Sequence, residues 1–442
     1  MPHSQSERAI PGFGHPDYDV TSPLDTDYYG VFADIPAADR EIWQRARAVA
    51  ADMREDLVTG WDSHSYPTHL LPRLGAAGLF NDGIEHPDLA PMSPLAAGLV
   101  NMELSRVDGS LGTMLAVQGG LGLRAVVMLG SAAQHEKYIG PIAAGELLVA
   151  GAITEPDHGS DSVDMETTAA RQPDGYWVLN GAKKWIGNGA SGGITVVFAR
   201  VDNSALPEEA ADGESLAGGD TASGGDRADS GGRPDDHGKV RGFIVDQATP
   251  GYSAEVIRRK GSLRAIDQAL VTLTDVHLDA DALMPGCRSF RDVSRVLWAT
   301  RAAVAWSALG HATACFEASL SYARQRTQFG KLLGAHQLIQ ERLTRMLTDL
   351  VSMQLFCVRL TELDVAGKML PTQAAMAKYH NTRTARSIAA EARDLLGGNG
   401  ILLDNGVIAH QADIEAIHTY EGTESVQALL IGREVTGENA FA

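Results

Sequence analysis

The stretch Ile194-Thr195-Val196-Val197-Phe198 is a run of β-branched and aromatic residues in the middle of a chain that is otherwise patterned for helices. Such residues are enriched in strands. Similar short runs, bounded by Gly, Asn or Asp, occur at 176–179, 242–245 and 270–273. Together they predict a small middle β-domain, a barrel or sandwich, over residues 148–285.

Residues 31–147, which precede the β-domain, are predicted to form an N-terminal α-helical domain. Ile42, Ala46, Val49 and Met53 make an apolar stripe at the i, i+3/i+4 spacing of one helix face. Further helices, separated by breaks near glycines, are predicted at 67–77, 94–107, 111–129 and 132–145. Residues 1–30 are rich in Pro, Gly, Asp and Tyr and are predicted to be an extended arm.

Residues 286–442, which follow the β-domain, return to the helical period. Segments 289–329, 336–366 and 371–396 are long enough for antiparallel bundle helices, and a final helix is predicted at 423–433. This pattern indicates a C-terminal helical bundle. The predicted fold class is therefore an α+β multidomain protein in the order α, β, α.

The formal net charge is −19, and a large share of it falls in one low-complexity stretch. Residues 202–236 hold ten acidic residues against two arginines. Residues 203–238 carry too few apolar side chains to order themselves and are predicted to be a disordered acidic insertion; a partner-binding acidic segment is the alternative. Phosphate binding needs clustered Lys and Arg, so no nucleic acid partner is expected.

The cysteines, Cys287, Cys315 and Cys357, are widely spaced, which argues against a disulfide framework or a structural zinc site and fits a reducing compartment. No apolar run reaches the ~18 residues of a membrane span, so no membrane partner is expected. The first residues lack the apolar core of a secretion signal, and the last residues are not a peroxisomal address. A cytoplasmic enzyme without a metal is predicted.

Five short segments suggest a cofactor site, although each has an ordinary structural alternative. The Gly/Ser/Thr-rich turn 154–161 offers donors to a flavin or pyrophosphate, or is a simple turn. Trp185 lies in a polar turn as a cofactor-facing indole, or belongs to the core. The arginines of segment 324–331 are suited to binding a phosphate; the alternative is that they stabilise the C-terminal end of a helix. The glycines of segment 397–400 allow a cofactor to approach the backbone closely; the alternative is that they cap a helix. Glu421 lies in a loop, where a carboxylate is usually solvated.

In this order, the segments 154–161, Trp185-Ile186, 326–329, 397–400 and 420–423 resemble the acyl-CoA dehydrogenase family. The similarity covers the chain except the arm and the acidic insertion. The resemblance implies a C-terminal four-helix bundle, with FAD between the β-domain and this bundle. It also implies that the adenine end of FAD reaches a neighbouring subunit of a homotetramer. Residues 102–108 and 429–437 look most like the branch of glutaryl-CoA dehydrogenase and the plant short-chain acyl-CoA oxidases.

The resemblance implies that Glu421 removes the α-proton of a fatty-acyl-CoA, as in fatty acid metabolism. The flavin accepts the β-hydride, and the product is trans-2-enoyl-CoA. The thioester carbonyl is bonded by the flavin ribityl hydroxyl and by the backbone N–H of Glu421. The implied FAD contacts are Thr154, Ser160, Trp185, Ile186, Gly187, Arg326, Gln337, Gly397, Gly398, Thr423 and Ser425. The implied substrate contacts are Ser160, Arg301 and Gly422; for Arg301 a surface arginine on a bundle helix is the alternative.

Two departures from the family pattern bear on specificity. Glutaryl-CoA dehydrogenases carry an Arg-Ser pair where this chain has Gly112 and Thr113, so a distal carboxylate would lack a cation and a monoacyl substrate is expected. Many dehydrogenases have Thr where this chain has Gly187, as in the plant oxidases. The expected acceptor is electron-transfer flavoprotein. The alternatives are an acyl-CoA oxidase using oxygen, a glutaryl-CoA dehydrogenase, or a non-catalytic CoA- or flavin-binding scaffold.

Overall fold

Three groups of elements follow one another along the chain in a computed structural model that describes residues 18–201 and 239–440. The first group is helical: α1 (Ala37–Ala51), α2 (Arg54–Ser63), α3 (Leu71–Ala76), α4 (Pro94–Val107), α5 (Gly109–Leu115), α6 (Arg124–Leu129) and α7 (Ala132–Ala143). Residues 18–30 of the predicted arm contain no helix or strand. The predicted acidic insertion and residues 1–17 lie outside the described residues.

The second group is a mixed sheet: β1 (Val149–Ala152), β2 (Thr168–Arg171), β3 (Trp177–Gly187), β4 (Ile194–Val201), β5 (Lys239–Asp246), β6 (Tyr252–Val256), β7 (Gln268–Leu278) and β8 (Leu283–Met284). Its order is β6-β7-β3-β2-β4-β5-β8, and β1 also pairs with β4. Strand β4 runs parallel to β1 and β2 and antiparallel to β5. The long pair β3–β7 is antiparallel, with a register shift between Lys183 and Ile186.

Both faces of β4 are covered. Ile194, Val196 and Phe198 pack in a cluster with residues of α6 and α7. Val197 and Val201, on the opposite face, pack in a second cluster between strands of the sheet. Because successive side chains of a strand point to opposite faces, a strand buried on both sides reads as a continuous apolar run. This explains the sequence pattern at 194–198.

The third group is helical: α8 (Phe290–Gln325), a hairpin of β9 (Thr327–Gln328) and β10 (Lys331–Leu332), α9 (Gln337–Val365), α10 (Pro371–Leu395), α11 (Val407–Thr419) and α12 (Glu424–Thr436). Neighbouring contacts join α8 to α9, α9 to α10, α10 to α11 and α11 to α8, which makes a four-helix bundle with α12 against α10. The α, β, α order confirms the predicted fold class.

Two details of the helical prediction are wrong. The helix predicted to reach residue 329 ends at Gln325, because the chain turns there into the β9–β10 hairpin. Helix α11 was not predicted, because its buried face includes the polar residues His410 and Asp413 and therefore shows no apolar stripe.

Helices α5 and α6 are joined by a π-helical segment, Ala116–Leu123, into one continuous helix from Gly109 to Leu129. By length and composition alone this helix could cross a membrane, contrary to the expectation from the apolar runs. However, 67% of its most apolar window is buried inside the protein, as in the core helix of a globular domain. π-helical segments are rare and frequently occur at functional sites.

Candidate active site

The loop between α11 and α12 holds Glu421 in an unusual backbone conformation. Glu421 has a φ of 56° and Gly422 a φ of 84°, both in the left-handed region. For a residue with a Cβ this conformation costs about 1–3 kcal/mol, and such strain persists only where the surroundings enforce it. The contacts around Glu421 therefore have to supply that stabilisation.

Lys378 of α10 holds this loop from within the bundle. Its side chain is 1% exposed, and its Nζ donates to the backbone carbonyl oxygens of Tyr420 and Gly422, on either side of Glu421. Burial lowers the pKa of Lys378 to about 7, against the opposing effect of Glu421 and with a smaller lowering effect of Arg301. A neutral amine has two N–H groups, one for each of these carbonyls.

Gln427 of α12 holds the same loop from the other side. Its Nε2 donates to the carbonyl oxygens of Glu421 at 3.0 Å and Gly422 at 2.9 Å. A Cβ on residue 422 would lie 2.6 Å from that nitrogen. Only glycine therefore fits at position 422, both for its positive φ and for this close contact.

The Glu421 carboxylate faces α8. Its Oε2 accepts a hydrogen bond from Thr300 Oγ1 at 2.7 Å. Arg301 interacts electrostatically with Glu421, while burial lowers the pKa of Arg301. The Arg301 Nε has no hydrogen-bond partner in the described part of the chain. Within residues 18–201 and 239–440, the backbone N–H of Glu421 also lacks an acceptor. The loop therefore combines an unpaired backbone donor with a carboxylate that interacts with a buried cation.

Sequence reasoning did not identify Thr300, Lys378 or Gln427. For Lys378 a signal was present: it lies on the buried face of α10 with alanines such as Ala374 and Ala377. A lysine on an alanine-rich buried face needs buried acceptors. Thr300 and Gln427 show no comparable signal, because their partners are distant in sequence or lie in an irregular loop.

Trp185 lies at the register shift of β3, at the point where the chain approaches the first helical group. It has a φ of 66° and its side chain is 55% exposed. A bulge of this kind re-aims a side chain out of the ladder. The preceding residue, Lys184, donates its N–H to the carbonyl of Thr154 at 2.8 Å. The structure therefore brings the predicted segments 154–161 and Trp185-Ile186 together.

A buried ion pair fixes the base of the 154–161 turn. Glu155 accepts from Lys183 Nζ at 2.8 Å and from the backbone N–H of Thr167 at 2.9 Å. Burial lowers the pKa of Lys183 to about 8, opposed by Glu155. Ser160, at the tip of the turn, is exposed. The turn is therefore anchored at one end and open at the other.

Gly187 lies against the π-helical segment. A Cβ at this position would lie 2.7 Å from a methyl group of Val117, so the space that a threonine side chain would need is already filled. The neighbouring Gln118 and Asn188 are bonded to each other at 3.2 Å, and Asn188 accepts from the Tyr66 hydroxyl at 2.7 Å. These buried bonds tie the end of β3 to the helical domain.

Four of the predicted cofactor residues lie elsewhere in the bundle. Arg326 donates to the Tyr18 hydroxyl at 2.8 Å, just after the end of α8. Gln337 is the exposed first residue of α9, and a Cβ added at Gly397 or Gly398 would meet no atom within 4 Å. Thr300 and Arg326 are 26 residues apart along α8, about 39 Å at 1.5 Å per residue. The structure therefore does not bring Arg326 to the Glu421 loop.

Two other predicted contacts are close to Glu421 in sequence and in space. Thr423 is the N-cap of α12, and its Oγ1 accepts from the backbone N–H of Val426 at 3.4 Å. Ser425 is exposed in the first turn of that helix. The N-terminus of α12 therefore faces the same loop as Glu421, and such a terminus attracts partial negative charge.

Gly112 and Thr113 lie beside Tyr420. The Tyr420 hydroxyl interacts with the side chains of Thr113 and Ser307. A Cβ at residue 112 would lie 2.1 Å from the hydroxyl of Ser105, which itself bonds Ser307 at 2.8 Å. A longer side chain at position 112 would have to displace this buried pair. Hydroxyl groups of Ser105, Ser307 and Tyr420 therefore lie beside this position.

Ligand atoms of His158, Asp161 and Asp164 lie within 4.8 Å of one another in the exposed 154–164 turn. Two of them have other charged neighbours: His158 lies 3.5 Å from Glu166, and Asp164 lies 3.9 Å from Arg200. Exposed acidic groups are common without an ion. The absence of a metal from the site stays a prediction.

Comparison with family models identifies the family of this α, β, α chain. The N-terminal, middle and C-terminal domain models of acyl-CoA dehydrogenase match residues 36–146, 150–217 and 290–436. The chain belongs to the acyl-CoA dehydrogenase family.

Individual relatives agree with this assignment. Glutaryl-CoA dehydrogenase from Mycobacterium smegmatis is 32% identical, with a TM-score of 0.84 over 94% of this chain and 99% of that one. A second structure of such an enzyme from that organism, in complex with FADH2, is 30% identical with a TM-score of 0.83 over 95% and 98%. The mitochondrial short-chain specific acyl-CoA dehydrogenase of Mus musculus is 29% identical over 412 residues, 92% of each chain.

The family assignment defines the general chemistry. The chain is an oxidoreductase that acts on the CH–CH group of an acyl-CoA, and it depends on FAD. Both the recognition from short motifs and the predicted cofactor are confirmed.

Proposed function

We propose that Glu421 is the base that removes the α-proton of a fatty-acyl-CoA, which is then dehydrogenated to trans-2-enoyl-CoA. The Glu421 loop carries this proposal: a strained glutamate backbone is held by Lys378 and Gln427. Among the described residues no acceptor takes the Glu421 N–H, which would bond the thioester carbonyl. The α-hydrogens of a thioester are weakly acidic, so stabilisation of the enolate-like oxygen by a fixed donor lowers the barrier.

The side chains present fit FAD. Trp185 offers an exposed indole, the 154–161 turn offers hydroxyl and N–H donors, and Gly397 and Gly398 leave open space for close approach. The proposed contacts are Thr154, Ser160, Trp185, Ile186, Gly187, Arg326, Gln337, Gly397, Gly398, Thr423 and Ser425. When bound, FAD supplies the acceptor for the β-hydrogen and its two electrons. Ser160, Arg301 and Gly422 are the proposed contacts of the substrate.

Two observations support a homotetramer as the proposed assembly. Arg326 and Thr300 are about 39 Å apart along α8, so Arg326 would serve the FAD of a neighbouring subunit. Exposed apolar side chains, among them Phe329 at 94% and Leu338 at 79%, lie beside Arg326 and Gln337. Light scattering on the purified holoprotein should give about four times the 46.9 kDa chain mass. A monomeric mass would contradict the proposal.

We expect a monoacyl substrate. The contact with Ser105 leaves no room for an arginine at position 112. A buried carboxylate without a partner is costly. A glutaryl-CoA substrate is the alternative, suggested by the similarity to the mycobacterial enzymes.

An anaerobic titration distinguishes these substrates. Saturated acyl-CoAs of graded length and glutaryl-CoA are added to the purified flavoprotein, and bleaching of the flavin absorbance is followed. Butyryl-CoA or a longer homologue is expected to bleach the flavin, and glutaryl-CoA is expected to act far more slowly. Equal bleaching by glutaryl-CoA would contradict the monoacyl proposal.

We propose electron-transfer flavoprotein as the acceptor, with oxygen as the alternative. Gly187 lacks the threonine hydroxyl of many dehydrogenases, but Val117 fills the space beside it. Turnover that needs an added flavoprotein or dye supports this proposal. Sustained turnover in air alone, with peroxide formed, would favour an oxidase.

The variant Glu421→Gln tests the assignment of the base. It removes the proton acceptor and keeps the shape of the side chain, so FAD binding should be unchanged while anaerobic bleaching slows by at least about 10²-fold. The matched control is Glu424→Gln, at the first residue of α12, an acid that pairs with Arg383. Near-normal bleaching by Glu421→Gln would show that another residue is the base.

A further inference from the structure

Thr300 contacts two oxygen atoms that compete for its hydroxyl proton. Thr300 is 6% exposed on α8. Its Oγ1 lies 2.7 Å from Glu421 Oε2 and 2.9 Å from the backbone carbonyl oxygen of Leu297. A hydroxyl has one O–H donor and two acceptor lone pairs, so Thr300 can donate to only one of these oxygens at a time.

The protonation state of Glu421 decides which oxygen receives the proton. An ionised carboxylate can only accept, and hydrogen bonds to a charged group are the stronger ones. While Glu421 is ionised, Thr300 therefore donates to Oε2. Once Glu421 carries a proton, its O–H can donate to Thr300 Oγ1, and the Thr300 hydroxyl turns to the carbonyl of Leu297.

We propose that Thr300 is a positioning residue that holds the Glu421 carboxylate in one orientation before and after proton transfer by exchanging its own hydrogen-bond partner. This inference rests on the proposed role of Glu421 as base. One proton moves from the substrate α-carbon to Glu421, and no covalent bond of Thr300 is made or broken. The rotation keeps Glu421 bonded in both states.

A second threonine on the same helix provides a matched comparison. Thr313 Oγ1 donates to the backbone carbonyl of Leu309 at 2.8 Å, in the same way that Thr300 reaches Leu297. Within the described residues, no carboxylate bonds Thr313. A Thr→Val change at residue 313 thus removes the bond to the helix carbonyl alone, whereas the same change at residue 300 also removes the bond to Glu421.

The experiment compares Thr300→Val, Thr300→Ser and Thr313→Val as FAD-loaded proteins. We expect Thr300→Val to bind FAD and a non-reducible acyl-CoA analogue as tightly as the parent, and to bleach about 10- to 100-fold more slowly with butyryl-CoA, because a misplaced base loses its near-attack geometry. Thr300→Ser should restore most of the rate, and Thr313→Val should be unaffected. A crystal structure of Thr300→Val should show the carboxylate in more than one orientation.

The pH profile separates partner exchange from a simple one-way bond. Because Thr300 bonds both protonation states of Glu421, its loss should lower the bleaching rate and raise the pH at half-maximal rate by less than about one unit, whereas loss of a bond made to the ionised carboxylate alone would raise it by about one unit or more. A midpoint raised by that larger amount, or a serine variant as slow as the valine variant, would overturn the inference. A valine variant as fast as the parent would do the same. If none of the acyl-CoAs bleaches the flavin of the parent protein, the proposed function fails together with the inference. In the other cases the proposed function stands.

Discussion

At the scale of single residues, the Glu421 loop is held by donors on three helices. Lys378 and Gln427 bond the backbone carbonyls around it, and Thr300 bonds the carboxylate. Because these groups fix both ends of the Glu421 side chain, the base needs little rearrangement when a substrate arrives. The proposed rate advantage of a positioned base depends on Glu421 being held in place before the substrate binds.

Lys378→Met is predicted to change how stability depends on pH. The folded pKa of Lys378 is about 7 and its ordinary value is about 10.5, so between these limits the unfolded chain holds a proton that the folded chain has released. Relative to the variant, the free energy of unfolding of the parent should therefore rise with pH through this window, by at most about 1.4 kcal/mol per pH unit.

Chemical denaturation of both proteins across this pH window measures the difference. The variant Lys368→Met, at an exposed lysine, serves as control and should follow the parent. Below about pH 7 both states of the parent are protonated and the difference between parent and Lys378→Met should be constant. Parallel curves for the parent and Lys378→Met across the whole window would contradict the buried, largely neutral amine.

At the scale of elements, the end of β3 and the π-helical segment fit each other closely. A Cβ on residue 187 would lie 2.7 Å from Val117. We predict that Gly187→Ala lowers the free energy of unfolding by about 1–3 kcal/mol, because overpacking forces neighbouring groups to shift. Adding Val117→Ala should recover part of that loss.

A double-mutant cycle measured by chemical denaturation tests this contact. The control is Gly140→Ala in α7, where nothing lies within 4 Å of the added Cβ, and it should be neutral or stabilising. Additive effects of Gly187→Ala and Val117→Ala would show that the two residues do not share the space.

Elements with a clear apolar stripe or a capping residue were predictable from the sequence. Helix α4 begins at Pro94 after Ser93, whose side chain accepts from Ala96 N at 3.0 Å, and it was predicted with these bounds. Helix α11 was not, because its buried positions are partly polar. The Glu421 loop was identified through its resemblance to a family. The residues that hold this loop in place were not identified, because Lys378 and Thr300 are 43 and 121 positions away from Glu421 in the chain.

At the scale of the whole molecule, a buried carboxylate joins the three groups of elements. Asp413 of α11 accepts from Trp61 Nε1 of α2 at 3.1 Å and from the backbone N–H of Leu263, between β6 and β7, at 2.6 Å. Burial, reinforced by the nearby Asp108, raises the pKa of Asp413. Asp413 therefore favours its neutral form in the folded chain.

Asp413→Asn is predicted to flatten part of the stability profile. In the unfolded chain Asp413 ionises near pH 4, whereas in the folded chain it stays protonated to higher pH. The contribution of neutral Asp413 to the free energy of unfolding is fully present below about pH 4. It is lost as pH rises to the folded pKa. The parent should lose stability over that range relative to Asp413→Asn. Denaturation curves should show this, with the exposed Asp174→Asn as control; an unchanged slope in Asp413→Asn would contradict a raised pKa.

The most direct test of the central claim is exchange of the substrate α-hydrogen. The FAD-loaded parent, Glu421→Gln and Glu424→Gln are incubated in D₂O with an acyl-CoA, and uptake of deuterium at the α-carbon is followed by mass spectrometry. We predict exchange in the parent and in Glu424→Gln, and loss of at least about 10²-fold in Glu421→Gln. Exchange at the parental rate in Glu421→Gln would show that the α-proton is removed by a different group.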